Sequence, residues 1–168
     1  MNPIIVKNNF FVRPDEVVEF SKTLEYNLPT SNQNWPGVRT DNLADIDRGF
    51  FGQVMLKILS SLYGDKPVRF DDSWLHFHKI KKGDEAKISY HVDEDFEMAS
   101  VIYLSEGDID NGTTLFDENG KKQVIVANKY NSMILYDSNR LHGATNMNFD
   151  KERLTLVAFF KDIKVANW

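Results

Sequence analysis

Beyond Pro67 the sequence breaks into short runs rich in β-branched and aromatic residues, separated by turn signals such as Lys82-Gly83-Asp84, Asp110-Asn111-Gly112 and Glu118-Asn119-Gly120. Runs of that length cannot bury an apolar face alone, so they must pair into sheets that cover one another. Candidate strands fall at 74–81, 87–92, 98–105, 114–116, 122–127, 132–136 and 154–161. Two helical patterns precede them. Over 14–26, Pro14 suits a first turn, Asp15 and Glu16 complement the helix dipole, and Val17, Phe20 and Leu24 recur at helical spacing. Over about 45–63, Phe51, Val54, Met55, Ile58, Leu59 and Leu62 follow the i, i+3, i+4 rhythm until Gly64 and Pro67 stop it. Two helices followed by seven or eight short strands predict an α+β, mainly β fold: a double-sheet jelly roll with N-terminal helices packed outside one sheet.

Composition narrows the function classes. The 168 residues fit one domain, with a helical part over about 1–66 and a jelly-roll core over about 67–161. A formal charge of -5 disfavours phosphate backbones and anionic membranes, so no nucleic-acid partner is expected. With no cysteine in the chain, a metal site must be built from His, Asp or Glu. The apolar run at the N-terminus is too short for a signal peptide, and no stretch approaches the roughly 18 apolar residues of a membrane span. The expectation is a cytoplasmic protein away from membranes. No heptad pattern indicates an oligomeric state.

His91-Val92-Asp93 sets two metal-capable side chains two positions apart, on one face of a strand and roughly 6.5–7 Å apart along it. His142 lies beyond three further candidate strands, and a closed jelly roll could return it to the same mouth. Two histidines and one carboxylate on one side of an octahedron leave three positions open, the arrangement suited to non-haem Fe(II). Against this, His91 could bond Asp93 within the sheet and His142 could be a loop histidine. Arg153 heads a strand in which Thr155, Val157 and Phe159 share its face while Leu154, Leu156, Ala158 and Phe160 share the other. A guanidinium pointing into a small barrel calls for a bidentate anion such as a carboxylate. The alternative is an exposed arginine paired with Glu152 or Asp150.

The order His91-x-Asp93, Val101-Ile102-Tyr103-Leu104-Ser105, Asn111-Gly112-Thr113-Thr114-Leu115-Phe116, Asn131-Ser132-Met133-Ile134-Leu135-Tyr136-Asp137, His142, Arg153-Leu154-Thr155 resembles the Fe(II)- and 2-oxoglutarate-dependent dioxygenases, and within them the prolyl 4-hydroxylase group. The match covers about 74–161, and the N-terminal helices only in layout. The resemblance implies a double-stranded β-helix in which His91, Asp93 and His142 bind Fe(II). It implies 2-oxoglutarate and O₂ as cosubstrates, with ascorbate as a reductant. Arg153 would pair with the C5 carboxylate of 2-oxoglutarate, Thr155 would add a hydroxyl donor, and the Tyr103 phenol would contact the same carboxylate. The implied reaction hydroxylates a C–H bond and yields succinate and CO₂. Asn111-Gly112 stands where many relatives have a Gly-Gly pair, and is otherwise a turn permitting left-handed backbone. Phe159 occupies the place of a tryptophan near the target in several prolyl hydroxylases, which keeps an aromatic wall but departs from the pattern. The substrate implied is a prolyl residue in a peptide or protein, with a free amino acid or other small molecule next. Relatives acting on nucleic acid carry a second arginine at the position of Phe159. The short, Asn- and Lys-rich chain fits a small microbial or viral member.

Two rival readings remain. His76-Phe77-His78 suggests a cupin-like metal- or sugar-binding module, although no acid follows at the usual spacing. A zinc hydrolase could use His91, Asp93 and His142 with a bound water, but would leave Arg153 unexplained. The run Glu94-Asp95-Phe96-Glu97 reads as a solvated loop or an acidic entrance. Asn34-Trp35-Pro36-Gly37 and the residues to Asn42 read as a lid, or as a loop packed by Trp35 on the outside of the sheet.

Overall fold

A computed structural model of the chain describes residues 2–31, 33, 35–84, 90–107, 109–146 and 150–166. In chain order the elements are β1 (Ile5–Lys7), α1 (Pro14–Lys22), β2 (Val38–Arg39), α2 (Leu43–Ile46), α3 (Arg48–Tyr63), β3 (Val68–Ile80), β4 (Met98–Tyr103), β5 (Thr113–Phe116), β6 (Lys122–Val126), β7 (Ser132–Asp137), β8 (His142–Ala144) and β9 (Arg153–Val165), with a 3-10 turn at Ile109–Asn111. They form a six-stranded sheet in the order β1-β7-β4-β9-β3-β2 and a three-stranded sheet in the order β6-β5-β8. All pairings are antiparallel. This is the predicted jelly roll, with helices against one sheet. Among the described residues no helix is long and apolar enough to cross a membrane.

The two faces of the large sheet have different work. Leu75 and Phe77 of β3, Met98 and Ile102 of β4, and Leu154, Leu156, Ala158 and Phe160 of β9 point to the helices. There they meet Val54, Met55, Ile58 and Leu59 of α3, all buried. At about 1.5–3 kcal/mol for each fully buried aliphatic side chain, this face dominates the fold's stability. Val17 buries from α1, while Phe20 and Leu24 pack at its margin. The opposite face carries Ala99, Val101 and Tyr103 of β4 with Ile134 and Tyr136 of β7, which pack on Leu115 and Val126 of the small sheet. The alternation read along β9 therefore separates core from interior as expected.

Several boundaries differ from the sequence reading. The helix expected over 14–26 ends at Lys22, where the Thr23 N–H already bonds the Phe20 carbonyl. The helix expected over about 45–63 is broken at Asp47. That residue is extended and its carboxylate accepts the Phe50 N–H at 2.9 Å, starting α3 afresh with a side-chain cap. β3 begins before 74 and β9 runs past 161, because their outer halves alternate charged residues toward solvent and hold together by pairing rather than burial. β1, β2 and β8 hold only two or three residues each, too few for a period-two signal. Of the strand expected over 87–92, residues 87–89 lie outside the described ones; in the remainder, His91 forms a single bridge to His142 rather than part of a strand.

Gly112 enters β5 with an ordinary negative φ, so the left-handed turn considered for Asn111-Gly112 does not occur. Its constraint is space: a Cβ there would lie 1.7 Å from the Val126 carbonyl oxygen. Backbone cannot move aside as a flexible side chain can. Gly112→Ala is expected to destabilise the protein by roughly 3 kcal/mol, read as a lower urea midpoint with an unchanged m-value.

Candidate metal centre

β8 lies beside β5 through the Leu115–His142 pair, and its other side accepts His91. The His91 N–H donates to the His142 carbonyl and the His142 N–H to the His91 carbonyl, both at 2.9 Å. Two histidines remote in sequence thus become directly opposed neighbours, with ring centroids 4.6 Å apart. Asp93 joins them by a different route from the one predicted. It lies beyond the bridge, where its N–H donates to the Ser138 carbonyl at 3.0 Å and its carbonyl accepts the Phe96 N–H at 3.2 Å. One ligand atom from each of His91, Asp93 and His142 lies within 4.8 Å of the others. His142 Nε2 is 3.2 Å from Asp93 Oδ2, and His91 Nε2 is 3.6 Å from Oδ1. Metal bonds of roughly 2.1 Å at right angles place neighbouring donors roughly 3 Å apart, so the cluster is close to the size an ion needs.

The protonation pattern fits a cation as well. His142 Nδ1 lies 2.7 Å from the Arg140 carbonyl, which only accepts, so Nδ1 carries the proton. In the neutral ring, Nε2 then turns a lone pair toward Asp93 Oδ2, itself a buried oxygen with no hydrogen-bond donor. Two facing acceptors need a positive charge between them. Burial alone would raise the Asp93 pKa, but the surroundings that His142, His91 and Arg39 supply hold it below its ordinary value. His142 is buried and His91 exposed, so the site opens to one side.

The triad borders a cavity of about 350 Å³. Arg153, only 7 % exposed, lines it from the first residue of β9. Its Nε donates to the Asn111 carbonyl at 3.1 Å, and its guanidinium carbon is 5.5 Å from the Tyr103 ring centroid. The acids that might have paired with it go elsewhere: Glu152 pairs with Lys81 at 3.5 Å and Asp150 with Lys82 at 3.7 Å. Among the described residues no carboxylate lies within ion-pair distance of Arg153. Burial pulls its pKa down from a value so high that the charge persists. Tyr103 and Thr155 face one another in the β4–β9 register but are fully buried, outside the described lining. The Tyr103 hydroxyl hydrogen-bonds Thr113 at 2.6 Å, while Thr155 Oγ1 has no partner among the described residues. Phe159 lines the cavity and packs on Phe96 at 5.0 Å, with Trp74 beyond it.

The cavity also holds residues the sequence did not single out as site residues. The Tyr136 ring packs at a tilt against His142, centroids 4.8 Å apart, and Thr113 lines the wall. Arg39 enters from β2, a segment whose Pro, Gly and Asn content predicts a loop. The β2–β3 register sets Arg39 opposite His78, and opposed residues share a face, so it points inward with His78. Gly37 makes that approach possible: its φ is 74°, and a Cβ would lie 2.1 Å from the Lys79 carbonyl oxygen. Trp35 packs on His78 and under Arg39 at the cavity, not on the outside of the sheet. The cupin-like alternative finds no ligand set. His76 Nδ1 donates to the Thr40 carbonyl at 2.9 Å and His78 Nε2 to that of Pro36 at 2.6 Å, and the described residues bring no metal-binding group of three to either.

No protein-family model and no curated protein matches the sequence. Solved structures do match in fold. A prolyl-4-hydroxylase from Pseudomonas putida shares 17% identity, with 96% of this chain and 93% of that chain covered and a TM-score of 0.63. An oxidoreductase of the 2OG-Fe(II) oxygenase family from Burkholderia pseudomallei shares 12% identity over 94% of this chain and 84% of that one, with a TM-score of 0.67. HygX from Streptomyces hygroscopicus, solved with nickel, 2-oxoglutarate and hygromycin B bound, shares 12% identity over 96% and 84%, with a TM-score of 0.65. The chain therefore has the fold found in Fe(II)/2-oxoglutarate oxygenases.

If the triad holds an ion, His142→Ala weakens Mn(II) binding at least about 100-fold, since even outer partners of metal ligands are worth roughly 10- to 100-fold. His76→Ala leaves it unchanged. Calorimetric titration of the apo-protein distinguishes the two variants.

Proposed function

We propose that residues 1–168 form one oxygenase domain that uses Fe(II), O₂ and 2-oxoglutarate to hydroxylate a C–H bond. The observation that carries this reading is Arg153: a buried guanidinium without a carboxylate partner, on the wall of the cavity that the triad borders. Leaving such a group unpaired is costly unless a ligand completes it. A dicarboxylate that reaches both the ion and Arg153 does so. A zinc hydrolase with a bound water gives Arg153 no such task.

His91, Asp93 and His142 would hold the iron through two imidazoles and one carboxylate, leaving open positions for exchangeable ligands. Arg140 fixes His142 in the tautomer that presents Nε2, because its carbonyl accepts a hydrogen bond from Nδ1–H. Arg153 would orient 2-oxoglutarate by its C5 carboxylate, with Asn111 steadying the guanidinium through Nε. Thr155 would add its unpartnered hydroxyl as a donor, and Tyr103 would position Arg153 through its ring while its own hydroxyl is engaged by Thr113. Bound together, the metal and cosubstrates supply an oxidant able to break a C–H bond, with succinate and CO₂ as co-products. Val101, Val157 and Phe159 line the cavity with apolar groups that would limit water around the reacting atoms. Ascorbate would act only as an external reductant.

The substrate class follows the resemblance to prolyl 4-hydroxylases: a prolyl residue, with a free amino acid or small molecule as the second candidate. Phe159 would form the aromatic wall against it. Anaerobic addition of Fe(II) and then 2-oxoglutarate to the apo-protein should give the visible charge-transfer absorption of the chelate. Arg153→Leu should raise the 2-oxoglutarate concentration needed by roughly 100-fold or more without changing Fe(II) affinity. Iron binding with no such absorption overturns the reading.

A further inference from the structure

Arg39 is not accounted for by metal or cosubstrate. Its Nε is shielded from solvent, and among the described residues it has no hydrogen-bond partner and no carboxylate within ion-pair distance. The Trp35 ring, 4.8 Å from the guanidinium carbon, attracts the charge but accepts none of its five N–H donors in a conventional hydrogen bond. Burial lowers its pKa to about 10, with the Asp93 charge opposing that fall, so it remains a cation at neutral pH. Among the described residues no hydrogen bond joins it to His76 or His78, whose ring N–H groups donate to backbone carbonyls and whose imidazoles burial and the arginine hold neutral. Asp93 is committed to the two metal-binding histidines.

Position separates Arg39 from Arg153. One stands on β2 opposite His78 and the other on β9 opposite Ile80, two strand spacings apart, which puts their backbones on the order of 10 Å from each other. Charge gives the same answer. A divalent ion and dianionic 2-oxoglutarate cancel, Asp93 offsets one arginine, and one positive charge remains in the cavity. We infer that Arg39 binds a carboxylate of the substrate, so that the group hydroxylated belongs to a free amino acid or to the C-terminal residue of a peptide rather than to an internal residue. This rests on the oxygenase reading and narrows its substrate class.

The test is calorimetric binding to Mn(II)- and 2-oxoglutarate-loaded protein, which needs no turnover. The probes are L-proline, N-acetyl-L-proline and N-acetyl-L-prolinamide, with acetate and acetamide as the minimal acid–amide pair. At least one acid should bind roughly 10-fold or more tightly than its amide. R39Q should abolish that preference while keeping wild-type affinity for 2-oxoglutarate, which shows that the cavity is intact, and R39K should keep part of it. A preference for L-proline over its acetylated form assigns a free amino acid; the reverse assigns a peptide terminus. Equal binding of acid and amide in both pairs, a preference that survives in R39Q, or an R39Q defect in 2-oxoglutarate affinity overturns the assignment. If wild-type protein binds Mn(II) but not 2-oxoglutarate, the oxygenase reading falls, and acid–amide titrations of the Mn(II) form still decide the role of Arg39.

Discussion

The candidate site depends on one reciprocal pair of backbone hydrogen bonds. His91 and His142 exchange N–H and carbonyl across the edge of the small sheet, and that exchange fixes both Cα positions before either side chain is involved. Because successive side chains alternate across a strand, the pairing also decides that both rings turn to one side. Asp93 follows from its own backbone bond to Ser138, in the turn that leaves β7. Three candidate ligands from two distant segments are thereby set by main-chain geometry. Side-chain packing only refines them, as Tyr136 does against the His142 ring.

A second constraint is the division of the large sheet into an apolar face and a polar one. The helix side can be filled with Leu, Ile, Phe and Met because α3 covers it, and this burial supplies most of the stability. The interior side is then free to carry groups that cost stability. Arg153, Thr155 and His78 each place polar atoms in a poorly solvated space; among the described residues the Thr155 hydroxyl and Arg39 Nε have no hydrogen-bond partner, and no carboxylate pairs with Arg153. Polar groups left unsatisfied in an otherwise well-packed protein mark where a ligand belongs.

The fixed side-chain charge of the cavity is opposite in sign to that of the protein as a whole. The net charge of -5 arises from exposed carboxylates, while the cavity gathers two arginines around one aspartate. Net charge therefore describes the surface and the partners it repels at long range, and says little about what a shielded pocket accepts. The low-dielectric walls of Val101, Val157 and Phe159 strengthen each charge inside.

How much of this was legible in the sequence depends on whether the signal was local. The α3 stripe, the alternation along β9 and the turn residues between strands are periodic and close in sequence, so they specify helices, strands and the burial of each face without reference to the rest of the chain. The residue types His91, Asp93, His142 and Arg153 were readable for the same reason: the chemistry they allow is a property of the side chains. Tertiary structure alone decided which of them meet. A three-residue strand at His142 and a single bridge at His91 carry no periodic pattern, and Asp93 arrives by a turn instead of by strand spacing. Arg39 is the clearest case. In sequence it is a charged residue in a loop rich in Pro, Gly and Asn, where exposure is the ordinary outcome; only pairing with β3, at a distance set by Gly37, turns it inward. Local periodicity is encoded by neighbours along the chain, whereas the convergence of a site is encoded by hydrogen bonds between residues far apart in it.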